Sequence, residues 1–189
     1  MASPDRRATA DPAPARAIVI AASLSLSLGA CVKSVPAAEP VGVTGTEPSS
    51  LLAKEVAFTF ESLDERPVSS AAARGKVAVL AIVTTWDLTS QAQVNFLNAM
   101  VKNDGDKVFY ALIAVQEGSS KGLVGAYARS LSVTCPVAVV DPVALNARAP
   151  FGEIRQVPTV VVLDRAGRVA WMRTGLAKSE EIRARMNNL

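Results

Sequence analysis

Histidine is absent from all 189 residues. Without it the usual general base of Ser-His-Asp and Cys-His catalysis is missing, and so are the histidine-containing zinc and copper sites. Cysteine is almost absent. Cys31 and Cys135 stand far apart, and with scattered carboxylates they offer no ligand cluster, so neither a metal nor another cofactor is expected. Aromatic residues are 5% of the chain and fall in apolar runs, without the spacing of a stacking platform. The formal charge is only +3, and the basic residues are scattered along the sequence. A nucleic-acid footprint needs a basic patch or stripe, so no nucleic-acid partner is expected.

What is present is apolar. Half the residues are hydrophobic, enough to bury a core, and the length has room for one domain plus extra segments. Residues 1–31 read as a secretory leader, with Arg6, Arg7 and Arg16 ahead of the apolar run Ala17–Leu28. That run is about a dozen residues, short of the roughly 20 that span a bilayer as a helix. It ends in Leu28-Gly29-Ala30-Cys31, which resembles the bacterial lipobox, whose cysteine is lipidated and becomes the new N-terminus. The expectation is a membrane anchor through lipidated Cys31. Residues 32–51 hold Pro36, Pro40, Pro48, Gly42 and Gly45 with little periodicity, the composition of a linker.

A globular domain is expected over 52–189. Val56-Ala-Phe58-Thr-Phe60 alternates as a strand. Val77–Val83 is a continuous apolar run suited to a central strand buried on both faces. Asp87–Lys102 is helical, with Phe96, Leu97, Met100 and Val101 as its apolar stripe. A second buried strand follows over Val108–Val115, then a helix over Lys121–Leu131 and a short strand over Val137–Val140 that ends at Asp141-Pro142. Val157–Leu163 is a third core strand, and Asp164-Arg165-Ala166-Gly167 turns it back into Val169–Met172. Ser179 is expected to cap a last helix with Ile182, Met186 and Leu189 on its apolar face. The order βαβ, β-hairpin, helix is that of an α/β domain with a central mixed sheet flanked by helices.

The stretch from Lys76 to Gln93 resembles the active-site segment of membrane-anchored thioredoxin-like proteins of the TlpA/ResA type. There an apolar strand runs into Trp-Cys-x-x-Cys, which opens a helix. Phe58-Thr-Phe60 with Asp64 and Gly75-Lys76, and Phe151-Gly152 with Val157-Pro158-Thr159 and Asp164–Val169, extend the likeness over 56–189. The resemblance implies a thioredoxin-like fold with N-terminal strands and a central insertion. It also implies a cis peptide bond before Pro158, against a base rate of about 5–6% for X-Pro bonds in folded proteins. Trp86, Asp87, Val157, Pro158 and Thr159 would then form a binding surface where relatives offer backbone to an extended peptide.

Here Asp87 and Ser90 stand where that family has its two cysteines. A CxxC thiol reacts because a helix N-terminus lowers its pKa. A carboxylate in that place favours the helix start but cannot exchange with a disulfide, and the Ser90 hydroxyl has no base beside it. Gln93, where relatives often carry Glu, is read as a further sign of relaxed proton handling. Cys135, in Val133-Thr134-Cys135-Pro136-Val137, is read as a buried, inert thiol. The leading expectation is a lipid-anchored, extracytoplasmic module of the bacterial cell envelope, facing the periplasm in a Gram-negative host. It would bind or scaffold an extended peptide or an envelope protein, without redox activity. The alternative is a thiol-disulfide oxidoreductase or peroxide-reducing protein working through Cys135. A structural envelope lipoprotein with no retained groove is a third reading.

Overall fold

The computed structural model describes residues 54–117 and 120–189. The expected leader, Cys31 and the linker to residue 51 lie outside the described residues. The centre of the fold is β3 (Val77–Val83), whose seven side chains are all buried. It runs parallel to β4 (Val108–Val115), from Val77 opposite Val108 to Val83 opposite Ala114. On its other side it pairs antiparallel with β6 (Thr159–Leu163), with Ile82 opposite Thr159. β5 (Val137–Val140) extends the sheet beyond β4, again in parallel. β1 (Thr59–Ser62) and β2 (Val68–Ser69) close one edge and β7 (Val169–Thr174) the other, giving the order β2-β1-β5-β4-β3-β6-β7. The parallel pairs need crossovers, which the helices supply.

Two apolar layers sandwich this sheet. One holds the odd-numbered β3 residues Val77 to Val83 against Val94, Leu97 and Met100 of α2 (Leu88–Asp104), Val124 and Tyr127 of α3 (Lys121–Ser130), and Ile182 of α5 (Ser179–Met186). The other holds Ala78, Leu80 and Ile82 against Ala73 of α1 (Ser70–Ala73), Leu145 of α4 (Pro142–Arg148), and the mutually packed rings of Phe58, Phe60 and Phe151. This is the α/β, thioredoxin-like architecture that the sequence resemblance implies. Among the described residues, no helix is long and apolar enough to cross a membrane.

Four local expectations are corrected. The strand expected over Val56–Phe60 begins only at Thr59. Its inward alternation holds, since Val56, Phe58 and Phe60 are all buried, but Val56 donates its N–H to the Gly167 carbonyl of the β6–β7 turn. The buried face of α2 is Ser90, Gln93, Val94, Leu97 and Met100, with Phe96 and Val101 only partly covered. Asp141 does not merely end β5. Its carboxylate accepts from the N–H groups of Val143 and Ala144 and caps α4, which the sequence reading missed. At α5 the N-cap position belongs to Lys178, and Ser179 is the first helical residue, its hydroxyl directed at the Phe96 carbonyl.

Candidate functional site

The C-terminal ends of β3, β4 and β5 and the N-terminal end of β6 converge at one pole of the sheet. At that pole the backbone leaves β3 through Thr84, Thr85 and Trp86 and enters α2 at Asp87. Asp87 is extended (φ −104°, ψ 129°) and serves as the N-cap. Its two carboxylate oxygens accept from the Thr89 N–H at 3.2 Å and the Ser90 N–H at 2.8 Å. The Ser90 N–H first, and Thr89 after it, hold the Asp87 carboxyl below its ordinary 3.8, so it is ionised at neutral pH. A negative charge here also suits the positive end of the helix dipole. One turn inward, Ser90 is completely buried, and its hydroxyl oxygen accepts from the Thr84 N–H at 3.3 Å. Both replacements of the family's cysteines are therefore built into the strand–helix corner.

Gln93 lies a further turn along α2 and has no exposed surface. Its side-chain amide donates to the Ala177 carbonyl and accepts from the Ala177 N–H. It therefore ties the segment before α5 to α2, a structural task that the reading of relaxed proton handling did not foresee. Tyr127 of α3, also missed from sequence, presents a buried hydroxyl with no partner among the described residues. Burial, and after it the Asp87 charge, push its pKa up to about 12.

Opposite this corner the Val157-Pro158 peptide bond is cis. Pro158 is buried, its carbonyl accepting from the Gly175 N–H at 2.8 Å. The Thr159 hydroxyl donates to the Gln156 carbonyl at 2.7 Å, and its side chain is buried as the first residue of β6. Thr159 thus braces the loop from within. Val157 is half-buried, and among the described residues neither its N–H nor its carbonyl has a hydrogen-bond partner. Its side chain and Thr84 line a common cleft of about 260 Å³ whose other walls include Val115, Leu145 and Ile154. The Thr84 hydroxyl is a second buried polar atom without a partner among the described residues. Beside this cleft-bearing corner, Trp86 and Leu88 are 76% and 78% exposed. The structure thus brings Asp87, Ser90 and the Val157–Thr159 loop to one pole, with Trp86 at its surface.

Cys135 is not part of this group. It precedes β5, at the end of that strand away from Asp87, and is 3% exposed. Burial raises its thiol to about 12, with the Arg66 guanidinium pulling weakly the other way. At neutral pH it is a thiol without access to solvent. Among the described residues it has no disulfide partner. Among the described residues no group of His, Cys, Asp or Glu is placed to hold a metal ion.

No protein-family model matches the sequence, and no curated protein matches it at significance. Solved structures do match. A DsbF homologue from Corynebacterium diphtheriae is 23% identical over 72% of this chain and 87% of its own, with a TM-score of 0.66. A thiol:disulfide interchange protein of the thioredoxin family from Chlorobium tepidum is 22% identical over 71% of this chain and 93% of its own (TM-score 0.60). A secreted Mycobacterium tuberculosis disulfide oxidoreductase homologous to E. coli DsbE is 19% identical over 76% of this chain and all of its own (TM-score 0.58). These likenesses establish the architecture and leave the chemistry to the residues present. The chain has the thioredoxin-like fold, with an aspartate cap and a buried serine in place of the CxxC pair on which dithiol–disulfide exchange depends.

Proposed function

We propose that this protein is a lipid-anchored, extracytoplasmic binding module that grips an extended polypeptide at the Trp86 and Val157-Pro158 surface and performs no redox chemistry there. The observation that carries the reading is Val157. Its N–H and carbonyl, which have no partner among the described residues, lie beside a cleft and offer the ladder on which an extended strand can pair. Trp86 and Leu88 supply exposed apolar surface beside it. Two observations support an extracytoplasmic location: the leader ending in Leu28-Gly29-Ala30-Cys31, and the description of the Mycobacterium tuberculosis structure as secreted. Nothing in the surroundings of Cys135 favours an enzyme working through that thiol.

The test is a random displayed-peptide library panned against the full chain carrying Cys31→Ser, followed by titration of the enriched peptides. Trp86→Ala is expected to weaken them at least about tenfold, as loss of an aromatic anchor does. Failure to enrich any sequence, or binding indifferent to both Trp86→Ala and Val157→Asp, would leave a structural envelope protein as the better description.

A further inference from the structure

We propose that the pole opposite the candidate site is a docking surface for an anionic phospholipid bilayer. The described chain begins at this pole. Glu55 bridges to Arg168, and Val56 donates its N–H to the Gly167 carbonyl at 2.9 Å, both at the β6–β7 turn. The loop before β3 comes to the same place, since the Gly75 N–H donates to the Arg165 carbonyl at 3.2 Å. Lys107, Arg165 and Arg183 meet around a cleft of about 240 Å³ between the start of β3, the start of β4 and the end of α5. Cations scattered through the sequence are thus gathered at one end of the fold.

Most carboxylates at this end are already engaged. Glu55 pairs with Arg74 at 3.9 Å, Asp164 with Arg168 at 2.9 Å and Asp104 with Arg183 at 2.9 Å. Lys54, Lys76 and Lys107 are exposed and form no ion pair among the described residues, and the exposed Arg165 guanidinium donates to a terminal oxygen of Leu189 at 2.8 Å. Asp106 also stands unpaired, which leaves the surface net positive. The opposite pole carries the capping carboxylates Asp87 and Asp141 instead.

The choice of a bilayer over another polyanion comes from connectivity, and in that respect it rests on the lipid-anchor reading. Lys54, the first described residue on the side of the chain that leads back to Cys31, lies within this positive surface. A lipid on Cys31 would hold the domain within reach of a membrane, and the exposed cations of this end suit its anionic headgroups. Exposed basic residues next to an anchor are attracted by anionic headgroups within a Debye length. The Trp86 and Val157 surface would then face away from the bilayer.

Sedimentation with lipid vesicles tests this, using the chain from residue 32 onward so that neither the leader nor an acyl chain contributes. Binding to phosphatidylglycerol-containing vesicles should exceed binding to pure phosphatidylcholine and fall as salt is raised. The double reversal Lys76→Glu with Lys107→Glu should weaken it at least about tenfold. Lys178→Glu, at the other pole, should leave it unchanged. Equal binding to both vesicle types, indifference to the double reversal, or tighter binding to duplex DNA than to the anionic vesicles would each overturn the proposal. Vesicle binding that behaves as expected while Cys31 takes no lipid would remove the anchor and leave this surface standing.

Discussion

Gln93 and Ala177 exchange two hydrogen bonds in the interior, at 3.1 Å from the Gln93 side-chain N–H to the Ala177 carbonyl and at 2.8 Å from the Ala177 N–H to the Gln93 side-chain oxygen. Neither residue has any exposed surface. The amide mimics a strand neighbour for a single residue. That fixes where the chain turns into α5, and α5 in turn packs Ile182 against the layer built on α2.

Gln93→Ala is therefore expected to strand both Ala177 groups and cost about 2–6 kcal/mol, since each unsatisfied buried group costs about 1–3 kcal/mol. The denaturation midpoint should fall with little change in slope. Gln93→Glu should behave differently with pH. Only a protonated Glu can donate to the Ala177 carbonyl, so its folded pKa would be raised. Its contribution would be present at low pH and lost as pH rises above the unfolded value of about 4.3. A flat stability difference between pH 3 and pH 8 (roughly the range that brackets this titration) would show that the pair does not carry this load.

Asp87 predicts the opposite slope. Its pKa is depressed in the folded chain by the Ser90 and Thr89 N–H groups, so its stabilising contribution is present above the ordinary aspartate value. That contribution is lost as pH falls through the depressed one. Asp87→Ala should lower the denaturation midpoint at pH 7, and the difference from the parent chain should close in acid. Asp87→Asn, a comparable cap, should lose less at pH 7, and its own stability should lack this titration.

Restoring the dithiol tests the corner itself. Residues three apart at a helix start share a face, and a disulfide prefers Cα atoms roughly 5.5–6 Å apart. Asp87→Cys with Ser90→Cys should oxidise in air. The outer thiol would take over the donors that now serve the carboxylate, and its alkylation should titrate below the reference of about 8.5. A pair that stays reduced, or a thiol with unperturbed reactivity, would show that the capped corner no longer has thioredoxin geometry.

The unmodified chain should not catalyse dithiothreitol-driven insulin reduction, and Cys135→Ala should change nothing in that assay. With its thiol 3% exposed and raised to about 12, Cys135 should react with Ellman's reagent only at the rate of unfolding. Turnover that disappears with Cys135→Ala would restore the enzyme reading.

The anchor is tested separately. Metabolic labelling with a palmitate analogue in a bacterial host should mark the protein, and Cys31→Ser should abolish the label. Equal labelling of that variant would exclude Cys31 as the attachment point.

Long, uninterrupted apolar runs made the centre of the fold readable. Val77–Val83 is buried throughout, Val108–Val115 over its five central residues, and the strand expected over Val157–Leu163 throughout its observed span from Thr159. Short elements set by single contacts were not readable. α4 is seven residues long and opens with Asp141-Pro142, a pair that signals a turn as readily as a cap followed by proline at N1. Gln93 could not be interpreted because its partner, Ala177, is 84 residues away in sequence. Thr84 and Tyr127 looked like ordinary strand and helix residues, since an unpartnered buried hydroxyl is visible only once its neighbours are placed. The positive pole was hidden for the same reason: Lys54, Lys76, Lys107 and Arg165 are dispersed in the sequence and are brought to one end only by the strand order.

The entry of the chain at the β6–β7 turn also has a mechanical side. A partner held at Val157 and a membrane pulling through Lys54 would load the domain from opposite ends. Lys54 leads into β1, so between β1 and β6 the load would cross the β1–β5, β5–β4, β4–β3 and β3–β6 pairings in turn. The first contacts to yield would be the Val56–Gly167 hydrogen bond and the Glu55–Arg168 bridge. Their release would lengthen the tether before the sheet that positions the candidate site was disturbed.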